Sequence, residues 1–417
     1  MKQRAAKGKI LYLLLLIIAF PLLQHSFAFY ESGKLNGAVS GIPDPSFTWS
    51  NWWAGTYQQQ KNAYLNDSTG CRPDLVRLNN QLDFWLFKKF HAHSVVIGKG
   101  QCLFEQEYVD EYYGTDYTGE AKMRQAIVKL KKVQDTLEHM GKTFVFQTAP
   151  SKAYYFADEL PPSPRLAKPG APTNYATFKR LADSAGIHQI DYNSWFLSKK
   201  KTTTDLLMCR LGIHWTTYGS LIAADTFIRY IEHARHIHLP MLHWEVTNHS
   251  LIPRQNDNDL ASGLNLIYPM QPESLSYPDY AFSSDSGTTR PRILYIGDSF
   301  LWIWLYDNLM QNLSTQFDIW YYFVQSWNQN TAAGKEEATY VDKTDWHNTL
   351  IHSDCITILY VPSSFNSFAK PNSTIDKLYD YFYPAVKYEN KSWDLALVTA
   401  ITLVKNEKIE TELPQKK

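Results

Sequence analysis

An α/β fold with a mainly parallel sheet and helices on both faces is the expectation for this chain. Three observations carry it. Short apolar runs of strand length alternate along the sequence with longer segments whose apolar residues recur at helical spacing. The strand-like runs are continuously apolar rather than alternating, which fits strands buried on both faces. At 417 residues and 44% hydrophobic, the chain has material for one large core or two modest ones.

The elements follow in order. Lys2, Arg4, Lys7 and Lys9 precede "ILYLLLLIIAFPLL" (Ile10 to Leu23), a basic start and an apolar stretch of the secretory-signal kind. Ser26 and Ala28 stand at an AxA-like spacing, so cleavage after Ala28 is one reading. An uncleaved anchor is the other: a span needs about 20 apolar residues, and Ile10 to Phe29 reaches that only by including Gln24, His25 and Ser26. Either way, residues 1–30 form a signal or anchor and the body, 31–417 with a core at about 70–384, lies outside the cytoplasm, since the positive end stays inside. "SVVIG" (Ser94 to Gly98) reads as a strand. Glu120 to Met140 reads as a helix with Met123, Ile127, Leu130 and Leu137 on one face, ended by Gly141. "TFVFQ" (Thr143 to Gln147) is a buried strand leading into Ser151 and Lys152. After a Pro-rich loop from Pro161 to Pro172, a helix covers Tyr175 to Ala185, and "IHQIDY" brings a strand to its end at Asp191. Thr216 to Ala234 is helical behind a Thr cap. "RILYIG" (Arg292 to Gly297), "FDIWYYF" (Phe317 to Phe323) and "CITILYV" (Cys355 to Val361) are further strands, and a last helix is expected around Ala396 to Val404.

Composition narrows the function. Lys+Arg and Asp+Glu are both 41, so no net field favours nucleic acid. Aromatics reach 15% with 13 Trp, a surplus that suits flat, partly polar ligands such as sugars. Cys71, Cys102, Cys209 and Cys355 show no CxxC spacing, so a zinc site is not expected and disulfides stay open. His233, His236, His238 and His243 cluster near a helix end without a supporting carboxylate pattern, and no metal is expected there; His91 and His93 read as surface or packing residues.

In a parallel α/β sheet, ligands bind beyond the carboxyl ends of the strands. Ser151-Lys152, Asp191, Ser299 and Pro362-Ser363-Ser364 all fall at such ends. "GDS" at 297–299 puts a serine on a strand-to-helix turn, with its hydroxyl exposed and its own N–H available to a developing oxyanion. The competing reading is that Asp298 and Ser299 cap the following helix. A serine nucleophile needs a base within hydrogen-bond reach, and His214, in "LGIHWTTYG" (Leu211 to Gly219), is the best placed.

"HWTTYG" ahead of a helix, with "YIGDSF" downstream, resembles the alginate O-acetyltransferase (AlgJ/AlgX-type) family, whose domain is SGNH-hydrolase-like. "VVIGKGQCLFE" (Val95 to Glu105), "TAPSKAYYFADELP" (Thr148 to Pro161) and "NDNDLASGLNL" (Asn256 to Leu266) extend the likeness, in consistent order, over about Gly70 to Pro362. The resemblance implies an SGNH-like fold, Ser299 as nucleophile and His214 as base. It implies an acid two residues before the histidine, where this chain has Gly212. Asp191 and Asp298 are the first replacements to consider, though each reads more readily as structural; Asp257, Asp259 or a backbone carbonyl are further options. The implied reaction is transfer of acetyl through Ser299 to a hydroxyl of a cell-surface polysaccharide or exopolysaccharide, with no cofactor and no metal. Trp215, Trp302 and Trp304 are candidates for sugar stacking, though at least two of them read more readily as core, and Lys152 is a candidate for contact with an anionic sugar or else a solvated lysine. The family further implies a periplasmic or cell-envelope location and a membrane-bound O-acyltransferase as acetyl supplier. Gly212 also motivates a second expectation, a catalytically weak glycan-binding scaffold; an acetyl-sugar esterase is a third.

Overall fold

The computed structural model describes residues 2–384, apart from 38–40, 93, 163–167, 169 and 255. The helix expected at Ala396 to Val404 and the position of His93 lie outside the described residues. Eight helices matter below: α1 (Lys2–Phe27), α2 (Trp49–Trp53), α3 (Arg72–Phe87), α4 (Glu120–His139), α5 (Asn174–Ala185), α6 (Thr217–Arg235), α7 (Leu301–Tyr306) and α8 (Thr374–Phe382). The central sheet has seven strands: β1 (Thr143–Thr148), β2 (Gln189–Asp191), β3 (Ile293–Gly297), β4 (Phe317–Tyr321), β5 (Gln325–Asn328), β6 (Thr339–Tyr340) and β7 (Cys355–Tyr360).

Their spatial order is β6-β5-β4-β3-β7-β1-β2. The five strands β4, β3, β7, β1 and β2 are parallel, and β5 and β6 add an antiparallel edge. The parallel strands are the apolar runs of the sequence, and β3 and β7 are buried along their whole length. Successive side chains point to opposite faces. Phe144, Phe146, Leu294, Ile296, Ile356 and Ile358 join the core under α4, α5 and α8. Val145, Ile293, Tyr295 and Ile319 join the opposite core under α6 and α7. The face of α4 read from the sequence is the buried one: Met123, Ile127, Leu130, Val133 and Leu137 are at most 3% exposed, each worth about 1.5–3 kcal/mol of burial. Its end comes at Gly141, whose φ of +73° is a left-handed conformation open to glycine. The helix caps are also those of the sequence: Thr216 accepts from the Gly219 N–H, and Gly186 closes α5.

Two features go beyond the sequence reading. The "SVVIG" strand does not enter the main sheet. Val95–Ile97 folds straight back on Leu103–Glu105 as an antiparallel ribbon, because a turn through Gly100 at φ +60° leaves no room for the crossover a parallel neighbour needs. The stretch between α6 and β3 is also structured. It contains two antiparallel ribbons, Met241–Glu245 with Asp279–Ser283 and His249–Ser250 with Leu275–Ser276, and between their strands a short helix at Asp259–Gly263. This excursion delivers a carboxylate to the carboxyl end of the sheet.

Candidate functional site

The turn after β3 is built by close backbone approach. A Cβ on Gly297 would lie 2.3 Å from the Leu359 carbonyl oxygen of β7, so only glycine fits. Asp298 is 1% exposed and accepts from the N–H groups of Phe300 (3.1 Å) and Val361 (2.7 Å), which ties the end of β3 to the end of β7. Burial drives its carboxyl up to about 6 against those two bonds. Ser299 comes next, partly exposed, before α7 begins.

His214 reaches Ser299 from the loop ahead of α6. That loop is fixed at both ends: the N–H of Cys209 donates to the His214 carbonyl, and the N–H of Thr216 donates to the Leu207 carbonyl. Trp215 is fully buried, stacked on Trp304 with centroids 5.5 Å apart. The imidazole is 4% exposed and lies edge-on to Phe300. Its Nε2 is 2.8 Å from Ser299 Oγ. Its Nδ1 is 2.9 Å from Asp259 Oδ2, a close contact without the alignment of a hydrogen bond. The other oxygen of Asp259 accepts from the N–H of Ile213 (2.9 Å) and of Leu260 (2.8 Å), so the carboxylate is clamped to the histidine loop itself.

Gly212 explains why the acid stands there. A Cβ at Gly212 would lie 2.5 Å from the Asp257 carbonyl oxygen and 2.6 Å from that of Asn256. The 256–261 segment packs directly on the Gly212 Cα, and the Ala261 N–H donates to the Leu211 carbonyl. The place an acid side chain at 212 would occupy is filled by the loop that carries Asp259.

The remaining sequence candidates fall elsewhere. Asp191 is not at the imidazole. It caps the following helix through the Ser194 N–H and holds Tyr175 and Lys179, because its strand lies at the far edge of the sheet. Asp298 braces the turn through backbone bonds, as neighbouring side chains diverge. Asp257 is buried and bonded to Tyr277 and the Arg254 N–H. Lys152 is not open to a sugar: it is 0% exposed, its ammonium donates to the carbonyls of Arg210 (2.7 Å) and Gly212, and burial lowers its pKa. It holds the histidine loop from below. Trp215 and Trp304 are core. Trp302 is half-buried against Tyr321 and Trp327, one turn beyond Ser299. The histidines near 233–243 do not converge: His233 and His236 face each other, and His243 bonds Ser283. Among the described residues no group of three His, Cys, Asp or Glu side chains gathers as a metal site would.

Two residues escaped the sequence reading. Tyr322, at φ +49°, follows β4, bonds through its N–H to the Gly297 carbonyl, and sets its phenol within electrostatic reach of Ser299 and Asp298; burial and then Asp298 push that phenol up. Glu105, half-buried, lies within electrostatic reach of Asp259 and His214, and burial followed by Asp259 holds its carboxyl above the usual range. Nothing in a run of aromatic residues marks Tyr322. Glu105 stands inside "KGQCLFE", where only the stretch itself was conspicuous. Beside Tyr322 opens a cleft of about 300 Å³ lined by Tyr360, Ser363, Ser364, Asn366, Thr374 and other polar residues. A separate cleft of about 380 Å³, between Tyr155, Asp158, Lys200 and Lys201, includes none of these residues.

A parallel α/β sheet with serine, imidazole and carboxylate aligned beyond its carboxyl ends defines an α/β protein with a serine-hydrolase-like site. The chain belongs to the SGNH hydrolase-like domain family of the acetyltransferase AlgX, whose family model matches residues 95–322, more than half of the 417. Ser299, His214 and Asp259 all lie within that span. Among solved structures, the chain is similar to the O-acetyltransferase domain of Pseudomonas putida AlgJ (16% identity, 69% of this chain and 99% of that one, TM-score 0.46). It is also similar to Pseudomonas aeruginosa AlgX (14%, 70% and 68%, 0.42) and to Bacillus cereus PatB1 (13%, 60% and 93%, 0.37). No curated protein matches the sequence.

Proposed function

We propose that this protein is an exported O-acetyltransferase that carries acetyl on Ser299 and passes it to a hydroxyl of a cell-surface or extracellular polysaccharide. The observation that carries the reading is the Ser299–His214–Asp259 arrangement, with 2.8 Å from Ser299 Oγ to Nε2 and 2.9 Å from Nδ1 to the carboxylate, in a member of an acetyltransferase family. His214 Nε2 takes the Ser299 proton as Oγ attacks the acetyl carbonyl carbon. The tetrahedral oxyanion is met by the Ser299 N–H and neighbouring donors. Collapse expels the donor's leaving group, which takes the proton from His214, and leaves acetyl-Ser299. A sugar hydroxyl then attacks with His214 again as base, and Ser299 is regenerated. Asp259 fixes the ring and stabilises the imidazolium in both halves.

Transfer rather than hydrolysis requires an oriented acceptor and excluded water. The cleft at Tyr322, with two tyrosine rings and a floor of hydroxyls and amides, is suited to a polyhydroxyl chain. The acetyl supplier in this reading is a membrane-bound O-acyltransferase, and α1, in which Lys7–Phe27 is long and apolar enough to cross a membrane, keeps the enzyme beside it.

The test is purified protein with an acetyl ester donor and an oligosaccharide acceptor, wild type beside Ser299→Ala. The expected result is acetyl release and transfer in the wild type and loss of both in the variant. Unchanged release and transfer in Ser299→Ala would refute the role of the serine. Release without transfer would point to an esterase, and glycan binding without turnover to a scaffold.

A further inference from the structure

The helix α3 is inside out. Its buried side chains are polar: Asn80 donates to the Leu264 carbonyl, and Gln81 accepts from the Tyr268 N–H. Its large apolar side chains face outward, with Leu75, Leu78, Leu82, Trp85 and Leu86 between 44% and 68% exposed. At about 100° per residue these five fall within about 60° of the direction opposite Asn80, a single stripe along a helix about 24 Å long. An amphipathic helix of a water-soluble domain turns such a stripe to the core. Here the core side is satisfied by amides, and among the described residues the stripe stays largely open, with the Tyr268 ring stacked on Trp85.

The surroundings identify the cover. The last turns of α1 rest on the turn that starts α3: a Cβ at Gly70 would lie 2.3 Å from the His25 nitrogen and 2.6 Å from the Pro21 carbonyl oxygen. His25 bonds the Ser68 carbonyl, Tyr30 and Ser32 both donate to Asp74, and Arg77 donates to the Gly33 carbonyl. The membrane-length helix and the leucine stripe are thus joined end to end. Trp49 and Trp53 of α2 are 67% and 80% exposed, and Lys88 and Lys89 stand exposed where α3 ends. Exposed lysines at the end of an apolar stripe, with exposed indoles on the segment that joins α1 to α3, match the interface of a bilayer with anionic headgroups.

We propose that α3 and α2 lie on the outer surface of the membrane crossed by α1, with lipid covering the leucine stripe. The inference rests on the reading of α1 as a retained anchor. It has a consequence for the site. The face of α3 turned away from lipid grips residues 264–268, the continuation of the helix that begins at Asp259, so the carboxylate at His214 and the membrane-lying helix are held by one short segment.

The experiment uses the full chain in nanodiscs of phosphatidylethanolamine and phosphatidylglycerol. Single variants Leu82→Cys and Leu86→Cys carry an environment-sensitive fluorophore, as do Leu15→Cys within α1 and Val128→Cys on the exposed side of α4; the four native cysteines are buried. Spin-labelled lipid is expected to quench emission at 82, 86 and 15 and to leave 128 unchanged. Quenching at 15 with 82 and 86 as open to a water-soluble quencher as 128 would overturn the lipid-covered face while keeping the anchor. Protection of 82 and 86 from both quenchers would mean that protein, a second copy or another partner, covers the stripe, and would also overturn it. Absence of lipid quenching at 15 would overturn the anchor and the inference together.

Discussion

In the proposed reaction Asp259 is the carboxylate that supports His214, and the expected effect of its loss separates from those of the other carboxylates. Asp259→Asn keeps the shape of the contact to His214 and removes the charge that stabilises an imidazolium. We expect a fall of about 10²–10⁴-fold in kcat with little change in KM. Asp191→Asn, by contrast, is expected to leave kcat in place and to cost about 1 kcal/mol or less of stability in thermal melts, since an asparagine still caps a helix. Equal losses from both variants would contradict the assignment. Gly212 supplies the converse test. Restoring an acid there, as Gly212→Asp in an Asp259→Ala background, is expected to rescue nothing. Its Cβ would collide with the Asp257 and Asn256 carbonyls, and overpacking of this kind costs about 1–3 kcal/mol. Recovery of acetyl transfer in the double variant would show that the histidine loop tolerates the acid at 212 after all.

At the scale of elements, the site is a junction of strand ends held by buried polar groups. Asp298 joins β3 to β7, and Lys152 ties the histidine loop to the end of β1. The Asp298 carboxyl is raised from 3.8 to about 6 in the folded chain by burial. Native protein therefore holds that proton more tightly than unfolded protein does. The contribution to stability is fully present below about 3.8 and is lost as pH rises through about 6. Thermal melts across this window are expected to show a decline with rising pH in the wild type that is flattened in Asp298→Asn. A wild-type decline that persists undiminished in the variant would assign it to other groups.

Taken as a whole molecule, the chain shows its sheet in its sequence and hides its acid. The strands at 143–148, 293–297 and 355–360 were legible because both their faces are buried, which leaves continuous apolar runs. Helices α4, α5 and α6 were legible from periodicity and caps. Ser299 and His214 were legible because a glycine-flanked turn and a loop before a capped helix are local features. Asp259 was one of four aspartates open as the acid, behind Asp191 and Asp298, and the choice among them depends on how residues 236–292 fold back over the sheet end, a long-range contact that no local pattern encodes. The buried state of Lys152 escaped for the same reason: a lysine sealed against two carbonyls and a lysine in water have the same sequence signature. One measurement tests the central claim directly. Wild-type protein is mixed with an acetyl ester donor in the absence of acceptor, quenched in acid and mapped by peptide mass spectrometry. The account predicts acetyl on the peptide bearing Ser299, absent in Ser299→Ala and strongly reduced in His214→Ala. Turnover of the donor with Ser299 unmodified, or acetyl persisting in Ser299→Ala on another residue that supports transfer, would contradict it.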